Sequence, residues 1–169
     1  MFVKEKEIQV INGYLKPKLK DEGFKTTGKT WWKDKGDFYI VINMQDSQYN
    51  NSDELSFCFN IGIALTKKIA DPRRKKITYY DTVVCLREDS YLTVNRNKHK
   101  FRLGGWLGYL LTKDTNIEEF INQIKNDFEI DIFPKLNNLN SLDDCLDFYG
   151  KVDFWGDQLR MQISELNNK

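Results

Sequence analysis

The sequence predicts an α+β fold, with an N-terminal helix, an antiparallel β-meander of about five to six strands, and C-terminal helices packed on one sheet face. Three patterns carry this expectation. Apolar residues recur at helical spacing near the amino terminus, alternate with polar ones through the middle of the chain, and return to helical spacing in the last third. No internal repeat, low-complexity linker or shift of composition marks a boundary, so residues 1–169 are expected to form a single domain.

In the first segment Ile8, Ile11, Leu15 and Leu19 share one face of a helix over residues 4–22, with Gly23 as its stop. Pro17 should either kink this helix or open a second helical turn. Residues 30–34 (TWWKD), a Lys35-Gly36 turn and residues 37–45 (DFYIVINMQ) then read as a hairpin. From 55 to 65 the alternation is strict. Leu55, Phe57, Phe59, Ile61, Ile63 and Leu65 take one face, and Ser56, Cys58, Asn60, Gly62 and Ala64 the other. A loop over 66–76 carries Asp71-Pro72 and the basic run Arg73 to Lys76.

Strands are expected to resume over 77–88, centred on Thr82 to Arg87, and again near 106–111, while 91–102 fits neither period. Thr115-x-x-Glu118 has the form of a capping box ahead of Ile117, Phe120, Ile121, Ile124 and Phe128, and Pro134 ends or kinks that helix. Ser141-x-x-Asp144 opens a shorter helix that Gly150 stops. A last helix over 154–166 turns Trp155, Leu159, Ile163 and Leu166 inward. One sheet face is therefore covered by helices, and the other is left to water.

A chain of 169 residues can bury roughly 70% of its extended surface. With 26 basic and 25 acidic side chains, it has no global field toward nucleic acid, an anionic membrane or an acidic substrate. Its 14% of aromatic residues argues for a folded chain. Cys58, Cys85 and Cys145 are odd in number and widely spaced, which speaks against a disulfide framework. The first eight residues, MFVKEKEI, are charged where a secretory leader would be apolar, and no stretch has the length of a membrane span. The expected location is the cytoplasm. The richness in Lys, Asn and Ile is associated with AT-rich bacterial genomes.

Several segments together resemble a known family. Leu15-Lys16-Pro17-Lys18-Leu19, Glu22-Gly23-Phe24-Lys25, Thr30-Trp31-Trp32, Ile42-Asn43-Met44-Gln45 with Ser47 and Tyr49, and Phe59-Asn60-Ile61-Gly62-Ile63 are similar to the bacterial domain-of-unknown-function 4304 family. The likeness is densest from Tyr14 to Leu65 and continues through Arg87, Trp106 and the helix before Pro134. It implies an α+β domain of largely bacterial origin and transfers no catalytic residue.

The residues themselves exclude more chemistry than they suggest. The only histidine, His99, lies between two lysines and reads as a solvated side chain. No cluster of His, Cys and carboxylates has metal-ligand spacing, and no phosphate-binding glycine loop is present; Gly104-Gly105-x-x-Gly108 reads as a turn. Asp143, Asp144 and Asp147 suit the positive end of a helix better than a metal. The pattern calls for no cofactor.

The candidate site lies on strands. Alternation places Tyr39, Val41, Asn43 and Gln45 on one face, Asn60 on the polar face of its own strand, and Arg87 nearby. Amides and a guanidinium suit an anion or a peptide carbonyl, or else a structural network that satisfies buried polar groups. Trp32 and Tyr39 offer aromatic faces to a ligand, and Trp31, Trp32 and Tyr39 as stacking faces together with the Arg73 to Lys76 run make a thin case for nucleic acid. The leading expectation is a non-catalytic domain that binds a protein partner, in one form an immunity or antitoxin protein. The rival is a small-ligand protein or hydrolase-type enzyme on the same face, with Asp34 or Asp46 as general base.

Overall fold

The first helical segment is built of three pieces in the computed structural model, which describes residues 1–69, 71 and 73–168. Helix α1 (Val3–Val10) runs into a π turn (Ile11–Leu15) and then into α2 (Lys16–Asp21). The widened turn is the chain's answer to Pro17. A proline has no N–H for the carbonyl four residues back, so the ladder loosens ahead of it and the Lys16 N–H donates to the Ile11 carbonyl. The same answer recurs at Pro134, where a π turn (Asp127–Ile132) joins α3 (Ile117–Asn126) to α4 (Phe133–Asn137).

The inner face of the first helix differs from expectation at one position. Ile11, Leu15 and Leu19 are buried, but Ile8 is exposed. Lys6 and Glu7 take the inward positions instead, because each finds partners there. Lys6 Nζ donates to the carbonyls of Thr112, Lys113 and Thr115, and Glu7 pairs with Lys4 and, at 2.7 Å, with Lys29.

The sheet contains β1 (Lys25–Thr27), β2 (Thr30–Asp34), β3 (Phe38–Asp46), β4 (Glu54–Leu65), β5 (Val84–Arg87) and β6 (Tyr109–Thr112). All pairings are antiparallel. The order β1-β2-β3-β4 is a meander, and the outer edge of β4 is shared, with β5 against Asn60 to Ile63 and β6 against Glu54 to Phe57. Lys35-Gly36 turns the β2–β3 hairpin as expected, with Gly36 at φ +89°. The short edge strand β1 carries no apolar alternation and was not foreseen.

Three expected boundaries move. Residues 77–83 do not pair as a strand: Tyr79–Asp81 forms a 3₁₀ turn that Thr78 and Asp81 cap, and Ile77 folds over the sheet. Trp106 sits in a turn ahead of β6, because Gly104, Gly105 and Gly108 all take positive φ. Helix α3 is capped by Asn116, whose side chain accepts the Glu119 N–H, while Thr115 accepts the N–H of Thr112. Helix α5 (Leu142–Tyr149) does start from the Ser141 cap, and α6 (Trp155–Asn167) follows. Pro72, in the loop after β4, lies outside the described residues. Among the described residues, no helix is long and apolar enough to cross a membrane.

The alternation of β4 fixes where the core lies. Phe57, Phe59, Ile61 and Ile63 meet Phe120, Ile124, Phe128 and Tyr149 of the helical layer, with Phe59 and Phe128 edge to face at 5.0 Å. The opposite face is not uniformly wet. Trp32, Val41 and Ala64 form a second apolar cluster under Ile77, with Tyr39, Ile69 and Tyr79 against it.

Gly62 lies where β5 crosses close to β4. A Cβ built there would be 1.8 Å from the Val84 carbonyl oxygen. Gly62→Ala should force the two strands apart and cost about 3 kcal/mol, at the upper end for overpacking. Urea denaturation measures this, and an unchanged midpoint would contradict the packing described.

Candidate functional site

Strand register places one polar residue from each of four strands in a single row across the open face. Thr30 of β2 is opposite Asn43 of β3, Asn43 opposite Asn60 of β4, and Asn60 opposite Arg87 of β5. The amides are joined. Asn60 Nδ2 donates to Asn43 Oδ1 at 3.1 Å and to Gln45 Oε1 at 2.8 Å, and Asn43 Nδ2 donates to Thr30 Oγ1 at 2.9 Å.

Four of the six expected residues, Asn43, Gln45, Asn60 and Arg87, are therefore neighbours. Trp32 and Tyr39 are not with them. They lie on the other side of the row, where Trp32 is opposite Val41 and Tyr39 opposite Ala64, and Trp32 is buried beneath Ile77. Alternation identified their face, but the covering by the loop after β4 has no sequence period to reveal it.

Beyond the row the face opens into a cleft of about 480 Å³, lined by Gln45, Ser47, Tyr49, Cys58, Arg87 and Trp106 among others. Its rim is apolar and exposed: Tyr49 is 82% accessible, Trp106 62%, Leu107 49% and Leu103 41%. Sequence reasoning placed Tyr49 and Trp106 in the likeness to a family but not at a site. The signal was the glycine turn around Trp106, because glycines at positive φ present the ring outward.

Two arginines hold that turn. Arg87 Nη1 donates to the Trp106 carbonyl at 2.9 Å, and its guanidinium lies over the Trp106 ring, 5.2 Å from the centroid. Arg102 Nη2 donates to the Gly105 carbonyl at 2.9 Å. Arg102 is itself fixed by Glu88 at 2.8 Å, and both side chains are fully buried. Burial pushes the Glu88 carboxyl up, and the charge and hydrogen bonds of Arg102 oppose that shift.

The model of a family described as a domain of unknown function, DUF4304, matches residues 15–138. The chain belongs to the DUF4304 family. The matched span contains all six strands, the polar row and the cleft with its rim, and it leaves out α1, α5 and α6. No curated protein and no solved structure matches the chain.

The one histidine of this DUF4304 protein is not a solvated side chain. His99 lies 3.0 Å from Asp127, which is fully buried and also accepts from Tyr109 at 2.7 Å and from Gln123 at 3.1 Å. The Phe101 N–H donates to His99 Nδ1, so Nε2 is the nitrogen that carries hydrogen toward Asp127. Nε2 ties the 91–109 segment to the π turn that follows α3, and Nδ1 is engaged within the segment itself. The local sequence misleads because Asp127 is distant in the chain and Lys98 and Lys100 flank the ring.

The other ionisable candidates of the chain are similarly committed. Asp34 accepts the Gly36 N–H in the hairpin turn. Partial burial works against ionisation of Asp46, but hydrogen bonding with Glu7 and with Lys29, and the charge of Lys4, outweigh it and hold this carboxyl below its usual range. Burial pushes the thiols of Cys58 and Cys85 up to about 11 and that of Cys145 to about 12. Among the described residues, no group of three His, Cys, Asp or Glu side chains is placed to hold a metal ion.

Two outcomes test this description. Asn60→Ala strands the side-chain oxygens of Asn43 and Gln45 and should lower stability by about 1–2 kcal/mol, whereas Gln45→Ala at an exposed position should cost under about 0.5 kcal/mol. Equal urea midpoints for the two variants would sink the structural account of the row. The raised thiols set the pH dependence. Their ordinary value is 9.0, so the unfolded chain ionises first, and the folding stability is intact below about pH 8. It should then decline as pH climbs from about 9 through 11. In the same preparation at pH 8, Ellman's reagent should modify the native thiols far more slowly than those of the unfolded chain. Rapid native labelling, or a melting temperature level through alkaline pH, would overturn the assignment.

Proposed function

We propose that this DUF4304 domain is a non-catalytic binding domain that receives a protein partner at the cleft beside the polar row. The observation that carries the proposal is the exposure of Tyr49, Leu103, Trp106 and Leu107 around a single opening whose floor is polar. Exposed aromatic and aliphatic side chains gathered at one place mark a contact surface, and the cleft is open rather than a deep pocket converging on reactive groups.

A hydrolase-type role has less support, since His99, Asp34, Asp46 and the thiols are each tied up or poorly ionised for that work. Nucleic acid also has less support. Arg73 and Arg74, which open the basic run, pair with Asp71 and Asp81. A cytoplasmic location agrees with three cysteines that form no disulfide.

The test is photo-crosslinking in the native cell, with a benzophenone-bearing residue at position 106 and, as control, at Ile130, which is exposed on the helical layer. The expected result is one discrete protein adduct from position 106 and none of that mass from 130. An immunity or antitoxin-like role is the form of this proposal in which the adduct is a toxin of the same cell, with growth arrest that the chain relieves and Trp106→Ala does not. No discrete adduct, or the same adduct from both positions, would refute the binding proposal.

A further inference from the structure

The structure assigns Arg87 a ligand that the protein itself does not supply: we infer that the cleft takes an acidic side chain of the partner, set beside an apolar one. This rests on the proposed binding role and specifies its chemistry. The chain has six arginines. Arg73, Arg74, Arg96, Arg102 and Arg160 each have a carboxylate within 4.0 Å, and among the described residues Arg87 alone has none. It is half-buried at the cleft floor, where an uncompensated charge is disfavoured and an added anion is correspondingly welcome.

Its geometry is prepared on one side only. Nη1 is held by the Trp106 carbonyl and the plane is backed by the indole ring, so the guanidinium has a fixed orientation before any ligand arrives. Nε and Nη2 form no hydrogen bond among the described residues, and their parallel N–H groups make the edge that a carboxylate accepts in a fork. Gln45 adds a second donor. Its Oε1 is occupied by Asn60, which leaves its Nε2 for the ligand.

Among the described residues the cleft lining contains no lysine and has Arg87 as its one cation, while Asp46, the one carboxylate of the lining, is taken up by Lys4 and Lys29. This balance suits the single charge of a carboxylate better than a phosphate dianion. The exposed faces of Tyr49, Trp106 and Leu107 beside it suit an adjoining apolar side chain. Charge and shape together describe a peptide segment carrying Asp or Glu next to an aromatic or aliphatic residue.

The experiment selects random linear displayed peptides on the intact chain and on Trp106→Ala, then measures the best Trp106-dependent peptide by fluorescence anisotropy. The expected sequences carry Asp or Glu beside an apolar residue. Changing that acid to its amide should weaken binding roughly tenfold or more, the worth of a charged hydrogen-bonded contact. Arg87→Gln should bind the acid and amide peptides alike, and Arg87→Lys, which keeps the charge and loses the fork, should fall between. Equal melting temperatures establish that the variants are folded. Trp106-dependent peptides without an acid, or an amide peptide that binds as well as the acid, would overturn the carboxylate inference while leaving the binding surface intact. Absence of any Trp106-dependent peptide would overturn both. Inorganic phosphate displacing the peptide much better than acetate at equal concentration would reassign the cleft to a phosphorylated ligand and refute the carboxylate.

Discussion

The outer edge of β4 poses the hydrogen-bonding problem that organises the rest of the molecule. Its inner edge pairs with β3 along nine residues, from Phe57 to Leu65, but the outer edge receives two short strands with a gap between them. The gap falls at Cys58 and Phe59, both buried, where an unpaired backbone N–H is costly. Glu88, immediately after β5, closes it by accepting the Phe59 N–H at 3.3 Å. A carboxylate in that position must itself be neutralised, and Arg102 does so. Arg102 then reaches Asn97 and Gly105, and the turn that presents Trp106 is fixed as a result. The rim of the cleft thus follows from the need to finish a sheet edge.

How much of this was legible in the sequence depends on the distance over which the information acts. The two faces of β4 can be read from alternation alone, and so can the shared face of Asn43, Gln45 and Asn60, because side chains on a strand obey a period of two. The rows across the sheet require register, which a single chain reading does not contain. Trp32 and Tyr39 were for that reason grouped with residues from which Asn43 and Asn60 separate them. His99 and Asp127 are 28 residues apart, and nothing near the histidine announces its partner.

Ile8 shows a different limit. Helical spacing through 8, 11, 15 and 19 assumes an even ladder, and the π turn before Pro17 rotates one end of the helix against the other. The side chains of Lys6 and Glu7 then fall inward and are tolerated because carbonyls and lysines await them. Of the two outcomes open at Pro17, a second helical piece begins there, α2, with the proline in its first turn, and Pro134 likewise lies in the first turn of α4 after α3 has ended. The wider turn ahead of each proline is what the sequence does not announce.

The row from Thr30 to Arg87 divides one sheet face into territories that do not share residues. On one side Trp32, Val41 and Ala64 are sealed under Ile77; on the other, Gln45 and Cys58 lie in the cleft. Tyr49, Leu103, Trp106 and Leu107 stand outside both apolar clusters of buried residues. Their side chains can be exchanged without disturbing what folds the sheet. Recognition is therefore modular in this architecture: the scaffold ends at a hydrogen-bonded border, and the specificity written beyond it can be revised independently.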